Sequence, residues 1–129
     1  MFLETEELNS DVKERAAHFL IKIKPVLSTN DCKFVMNAKN QAFSRRFPLK
    51  HEAKVAIIRS LVPEDCIAVE PNDNPRYSES EVYKFLKKCI LPCYGEEESV
   101  ELYIKMYFCE EKTYDYVIVI SLHESGMYE

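Results

Sequence analysis

The chain has 129 residues, 47% of them apolar and 30% charged, with a net charge of −5, and this composition predicts one globular domain, residues 1–129, with its own core. Two glycines and no tryptophan exclude glycine-rich phosphate loops and indole stacking platforms. No long apolar run is present, and the N-terminal stretch is acidic where a secretory signal would be basic and then apolar. We therefore expect a cytoplasmic protein without a membrane partner.

The first predicted element is an amphipathic helix. Asn9 or Ser10 can cap it, since a short oxygen side chain satisfies an orphan amide of the first turn. Its apolar stripe follows helical spacing: Val12, Ala16, Phe19, Leu20, Ile23 and Leu27. Pro25 is expected to kink or end the helix, because it lacks the amide that an interior position donates. A turn at residues 28–31 follows.

A short strand, two helices and a loop come next. CKFVM, residues 32–36, alternates like a strand with Cys32, Phe34 and Met36 on one face. A polar helix is predicted over 38–46 and a second helix from about Lys50 to Leu61, each closed before a proline. CIAV, residues 66–69, reads as a short strand, and the prolines and asparagines of EPNDNPRYSES predict a loop.

The last part of the chain predicts three strands, over 82–90, 100–108 and 115–123. Helices followed by an antiparallel β-meander indicate an α+β fold, in which the N-terminal helices pack on one face of the C-terminal sheet. For the strand 82–90, the pattern leaves open whether Tyr83 and Phe85 or Lys84 and Leu86 point away from the helices.

Alternation along the last two strands assigns their faces. The apolar set from Val100 to Phe108 should face the helices, while Tyr103 and Lys105 point the other way. If the last strand pairs antiparallel without interruption, four of its residues join the buried face: Tyr116, Ile118, Ile120 and Leu122. The four alternate residues should then lie beside Tyr103 and Lys105: Val117, Val119, Ser121 and His123.

Cysteines and charges allow alternative interpretations. The five cysteines lie mostly in apolar strings, which predicts reduced, packed thiols without a metal or cofactor. CILPC, residues 89–93, has a spacing that some zinc sites use, but a second close pair of Cys or His is missing. Residues 33–59 carry seven lysines and arginines against Glu52, so this segment can face phosphates or form the solvated side of two helices.

The segment SLVPEDCIAVEPNDNPRYSESEVYKFLKK, followed by ELYIKMYF and VIVISLHESGM, resembles the MqsR-like toxins of bacterial toxin–antitoxin systems. The upstream stretches VKERAAHFLIKIKPVLS and FVMNAKNQAF are similar to the opening helix, strand and lysine–asparagine pair of one branch of that family. The resemblance implies a RelE/ParE-like fold, metal-independent endoribonuclease cleavage of mRNA, and neutralisation by a cognate antitoxin protein.

The resemblance also implies site residues. Tyr103 and Lys105 stand where the family has its YIK strand, whose tyrosine belongs to the proposed catalytic group. His123 falls where better-studied members carry a lysine and this branch a histidine. Lys84 aligns with a glutamine of that group, whereas Ala68 stands where a catalytic lysine is expected.

Cleaving RNA without a metal needs a base, an acid and a cation for the charge that builds on the phosphorane. His123 could act as base or acid, because an imidazole gains and loses its proton near neutral pH. Lys105 and Lys84 could clamp the phosphate, and Tyr103 could donate a hydrogen bond or stack on a base. The further candidate RNA contacts are Arg76, Lys87, Arg45 and Arg46.

Two other functions compete with the nuclease. A catalytically degraded toxin relative that acts as a protein-interaction module agrees with Ala68 and with the acidic pI near 5.3, since nucleases of this kind are usually basic. A small zinc-binding domain built on CILPC is the third alternative. Tyr and Lys alternating on a solvated strand, with a histidine at its end, is also a common pattern without any chemical role.

Overall fold

The computed structural model describes residues 2–28 and 31–126, with side chains described from residue 10 onward. Within these ranges the chain forms three α-helices: α1 (Phe2–Ser28), α2 (Ala38–Arg46) and α3 (His51–Arg59). The five strands are β1 (Cys32–Phe34), β2 (Cys66–Glu70), β3 (Val82–Cys93), β4 (Glu96–Glu110) and β5 (Asp115–Glu124). Single 3-10 turns at Pro63–Asp65 and Pro75–Tyr77 precede β2 and β3.

The sheet has the order β1-β5-β4-β3-β2, and it is mixed. The strands β2 to β5 form an antiparallel meander, whereas β1 pairs parallel with β5, with Cys32 opposite Val117. The α+β prediction is therefore confirmed, but the purely antiparallel sheet is wrong. The three residues of β1 carry no signal for a parallel partner that follows more than eighty residues later.

Helix α1 is longer than predicted. It begins at Phe2, so Asn9 and Ser10 lie inside it and do not cap it. Its first residues, FLETEEL, are mostly good helix formers, which explains why the helix extends past the capping signal. Pro25 does not end it, because the helix continues to Ser28. The predicted turn over 28–31 includes Thr29 and Asn30, which lie outside the described residues.

The other early elements agree closely with prediction. Helix α2 spans the predicted residues, α3 is shorter than predicted at both ends, and β1 ends at Phe34, which leaves Met36 exposed outside the strand. The main core joins the apolar residues of the helices to one sheet face; Phe19 of α1 stacks on Tyr83 with ring centroids 4.0 Å apart. This contact answers the open question on β3: Tyr83 and Phe85 face the helices.

The opposite sheet face, called the second face below, therefore carries Lys84 and Leu86. Its pattern on β5 differs from the prediction because of a β-bulge. Lys105 pairs with Ser121, but the next residue, Met106, pairs with Val119, so Ile120 is an extra residue in β5. A bulge shifts the alternation of side chains by one residue.

Because of the bulge, five of the eight predicted faces on β5 are wrong. After it, Leu122 faces the core while Ser121 and His123 face away, as predicted. Before it, Val117 and Val119 lie in the main core, both fully buried. Three residues expected in the main core pack instead in or against a smaller cluster on the second face: Tyr116, Ile118 and Ile120. Among the described residues, no helix has the length and apolar character needed to cross a membrane.

Candidate functional site

Two neighbouring rows of side chains cross the second face. The first row contains Ala68, Lys84, Lys105 and Ser121, one from each of β2 to β5. The second row contains Leu86, Tyr103 and His123. Directly opposed residues of antiparallel strands have Cβ atoms about 4.5–5.5 Å apart. The sheet therefore brings the four predicted catalytic residues, Lys84, Lys105, Tyr103 and His123, into one patch.

This patch forms the floor of an open cleft of about 780 Å³. Its polar lining includes Lys39, Glu70, Lys84, Tyr103, Lys105, Ser121 and His123. The cleft thus contains three lysines against one carboxylate, although the whole chain has a net charge of −5. Bulged residues, Ile67 in β2 and Ile120 in β5, lie at the two ends of the first row. Bulges are common next to active sites, where they redirect side chains.

Lys84 is held in place by an ion pair. Its Nζ lies 2.7 Å from Oε1 of Glu70, and its side chain is only 20% exposed. The hydrogen bond to Glu70, together with the neighbouring phenol of Tyr103, raises the pKa of Lys84 despite its partial burial. Lys84 therefore keeps its proton at neutral pH and serves as a fixed positive charge rather than as a base.

His123 lies against Tyr103 and away from the helices. The ring centroids are 5.6 Å apart at an angle of 44°, and the histidine is 2% exposed. Its Nδ1 is 2.9 Å from the backbone carbonyl of Glu124. A carbonyl oxygen only accepts hydrogen bonds, so Nδ1 carries the proton and Nε2 is the acceptor in the neutral ring. The Glu124 side chain binds Arg46 instead of the histidine.

Helix α2 fixes the end of β5 that carries His123. The buried amide of Asn40 accepts a hydrogen bond from Leu122 N at 2.9 Å and donates to the carbonyls of Ile120 and Val35, at 2.9 and 2.7 Å. Asn37, which caps α2, donates a further bond to Ile120 O at 3.0 Å. The paired part of β1 ends before this point, and these amides take its place along the edge of β5.

The predicted RNA contacts lie outside the cleft. Lys87 faces the helix side and binds the Asp65 carboxylate at 3.3 Å. Arg46 binds Glu98 and Glu124, and the backbone carbonyl of its neighbour Arg45 accepts a hydrogen bond from Tyr94. Arg76 lies on the 3-10 turn before β3. The structure therefore does not join these four cations to the four predicted catalytic residues.

Glu70 and the start of α2 are cleft residues that were not predicted from the sequence. The signal for Glu70 was available, because it follows Ala68 by two residues and shares its face. Asn37, Ala38 and Lys39 line the cleft at the N-terminal end of α2, where backbone amides and the helix dipole favour anions. Their approach to the sheet depends on tertiary packing, which no local pattern predicts.

The cysteines are free thiols, with Cys32, Cys66 and Cys109 buried. Cys89 and Cys93 are half-buried, and the thiol of Cys93 lies 3.5 Å from the Arg46 carbonyl. Within residues 10–28 and 31–126, no group of three or more His, Cys, Asp or Glu residues is arranged to hold a metal ion.

The fold and the cleft define an α+β protein with a lysine-rich cleft on the sheet face opposite the main core. Comparison of the chain with protein-family models, with curated proteins and with solved structures finds no match.

Proposed function

We propose that this protein is a metal-independent endoribonuclease toxin of the MqsR-like kind, with a RelE/ParE-like fold, that cleaves mRNA and is neutralised by a cognate antitoxin. The proposal combines the sequence resemblance with the chemistry of the cleft. The phosphodiester would bind on the floor formed by Lys84, Lys105, Tyr103 and His123.

One observation carries this proposal: Lys84 and Lys105 are directly opposed on neighbouring strands. Like charges at directly opposed positions destabilise a sheet. The Glu70 carboxylate lies 2.7 Å from Nζ of Lys84, whereas Lys105 makes no ion pair with another described residue. An anionic ligand between the two ammonium groups would convert this repulsion into binding. The phenol and the imidazole in the adjacent row supply groups that can exchange protons with such a ligand.

The proposed reaction uses the 2′-hydroxyl of the RNA as the nucleophile. Nε2 of His123 takes the hydroxyl proton while the 2′-oxygen forms a bond to phosphorus and the bond from phosphorus to the 5′-oxygen breaks. Tyr103 donates a proton to the leaving 5′-oxygen. After the products leave, His123 releases the proton that it accepted to water, and Tyr103 regains one from water. Lys84 and Lys105 stabilise the charge on the phosphorane. The products are a 2′,3′-cyclic phosphate and a 5′-hydroxyl.

The decisive test is cleavage of a fluorescently labelled RNA in the presence of excess chelator. We expect cyclic-phosphate products, and no cleavage when a 2′-deoxynucleotide replaces the nucleotide at the cut site. His123→Asn keeps a donor near Nδ1 but cannot take up the proton, so it should lower the rate about a hundredfold or more. Expression of the wild-type chain without its antitoxin should arrest growth.

Matched controls separate catalysis from folding. Lys88→Met removes an exposed lysine on β3 outside the cleft and should leave cleavage unchanged, whereas Lys105→Met should reduce it. Tyr94→Phe, at the exposed turn between β3 and β4 outside the cleft, serves as the control for Tyr103→Phe. If the folded wild-type protein neither binds nor cleaves RNA, or if both members of each pair behave alike, the nuclease proposal is wrong.

A second candidate is a protein-interaction module, and two observations favour it. Glu70 neutralises one of the cleft lysines, and Ala68 lies in the lysine row where the resemblance would place another lysine. Both features weaken phosphate binding. A module of this kind would leave growth and RNA intact. Its Lys105→Met and His123→Asn variants would still bind the protein partner.

A further inference from the structure

A second cavity on the same sheet face has the composition of a base-stacking site. It measures about 540 Å³, and we call it the tyrosine site. Three segments meet there: the 3-10 turn Pro75–Tyr77, the turn between β4 and β5, and Lys33 of β1, which lies opposite Ile118. The groups used below are Tyr77, Tyr114, Tyr116, Lys33, Arg76 and Lys112.

Hydrogen bonds and ring contacts hold the tyrosines in fixed positions. The hydroxyls of Tyr77 and Tyr116 are 2.9 Å apart, and Tyr116 donates to Glu111 at 3.1 Å. The hydrogen bond with Tyr77, burial and Glu111 all raise the pKa of Tyr116, so its phenol stays neutral. The Tyr114 ring lies 5.4 Å from that of Tyr116 and is 48% exposed. Tyr114 therefore offers an accessible aromatic surface supported by a rigid neighbour.

Cations surround these rings. Nζ of Lys33 lies 4.3 Å from the centre of the Tyr116 ring, and the guanidinium of Arg76 lies 5.2 Å from that of Tyr77. Lys112 adds a third cation, against Glu111 as the acid that lines this cavity. Aromatic surfaces combined with cations are the elements that proteins use to bind single-stranded nucleic acid, in which bases stack and phosphates pair with Lys or Arg.

The tyrosine site lies along the strand direction from the catalytic cleft. A groove of about 310 Å³ shares Glu70 and Lys105 with the cleft and continues past Tyr107 and Ile120. Tyr107 contacts Tyr77 with centroids 5.3 Å apart, which brings the groove to the tyrosine site. From Lys105 to Cys109, the partner of Tyr116, β4 rises about 14 Å, which matches about four nucleotides at a stacked spacing of about 3.4 Å.

From these observations we propose that the tyrosine site binds a base and its flanking phosphates in single-stranded RNA, about four nucleotides from the position of cleavage. This inference rests on the proposed nuclease function and adds a substrate length to it. A short RNA fills only the cleft, whereas a longer strand also stacks on Tyr114. Affinity should therefore rise with length beyond the scissile dinucleotide.

The test measures binding of 2′-O-methyl RNA, which cannot be cleaved, by fluorescence anisotropy. Tyr114→Ala should weaken binding of an oligonucleotide of about eight nucleotides by about fivefold or more, since stacking on one aromatic ring is worth about 1–3 kcal/mol per base. Tyr94→Ala is the matched control, because Tyr94 is 77% exposed at the turn between β3 and β4. That variant should bind like the wild type.

Charge gives an independent readout. Lys112→Gln should lower the slope of log affinity against log salt by about 0.7, the value for one phosphate contact with a single strand. Equal affinities of the Tyr114→Ala, Tyr94→Ala and wild-type proteins, or no gain in affinity with length, would overturn this inference. Cleavage of a dinucleotide by the wild type and by Tyr114→Ala tests the nuclease separately. If cleavage is intact but Tyr114→Ala does not affect binding, only the tyrosine-site proposal is wrong. If the wild type does not bind RNA at all, both proposals are wrong.

Discussion

Asn40 provides the most direct test of how the fold positions His123. Its side chain is 5% exposed and makes three hydrogen bonds to backbone groups, namely Leu122 N, Ile120 O and Val35 O. In Asn40→Ala, the amide of Leu122 and the carbonyl of Val35 lose these bonds, while Ile120 O keeps its bond from Asn37. Leaving a buried donor unpaired costs about 1–3 kcal/mol and a lost bond about 1 kcal/mol.

The expected loss is therefore about 3 kcal/mol in the free energy of unfolding, measured by urea denaturation. At an m value of about 2 kcal/mol/M, the midpoint should fall by about 1.5 M without a change in m. Gln41→Ala is the control, since Gln41 lies on the same helix as Asn40 but its side chain makes a single, exposed hydrogen bond, to Met36 O. It should lose no more than about 0.5 kcal/mol.

Asn40→Asp tests the direction of these bonds. The carboxylate can still accept from Leu122 N, but it would face two carbonyl oxygens that need donors. We expect Asn40→Asp to be destabilised at neutral pH and partly restored at acidic pH, where the protonated carboxyl group can donate one bond. A loss below about 1 kcal/mol in Asn40→Ala, or a pH-independent Asn40→Asp, would refute the edge-pairing role.

Three further predictions address charge, pH and packing. Glu70→Gln removes the carboxylate beside Lys84 and should raise RNA affinity about fivefold in anisotropy measurements, because one repulsive charge near the phosphate is lost; a decrease would contradict the proposed site. Burial raises the pKa of Cys32 from 9.0 to about 12. Between these values the unfolded thiol ionises while the folded thiol keeps its proton, so stability should fall with rising pH, by up to about 1.4 kcal/mol per pH unit from this group. Cys32→Ala should flatten that fall in urea titrations, and an unchanged slope would exclude this cause. Phe85→Ala should cost about 3–5 kcal/mol, since Phe85 is fully buried, and a smaller loss would mean that the core closes over the cavity.

Local patterns were sufficient for most elements of the fold. Helix α2 ends where predicted because its stop signal, Phe47-Pro48, follows it directly in the chain. The pairing of β1 with β5 could not be predicted, because the short segment from Cys32 to Phe34 has no sequence feature that selects a distant parallel partner. Tertiary contacts alone decide it.

For the site, the sequence correctly predicted which side chains at the start of the β4–β5 pairing share the second face. Tyr103, Lys105, Ser121 and His123 were assigned together, and the structure brings them together. The assignment of Val117 to the same face was wrong, because a bulge inserts a residue without changing the local composition. Burial of the ring of His123 was likewise not predictable, since it depends on packing against Tyr103 and on the bonds that α2 makes to β5.

The bulge at Ile120 links these outcomes. With strict alternation, β5 could direct either Val117 and Val119 or Leu122 into the main core, but not both sets. The extra residue lets both sets pack there while Ser121 and His123 face the cleft. Such an irregularity leaves backbone groups near Ile120 in need of partners, and the amides of Asn37 and Asn40 supply them. The residues at the start of α2 therefore stabilise the bulge that allows β5 to place side chains in both the main core and the cleft.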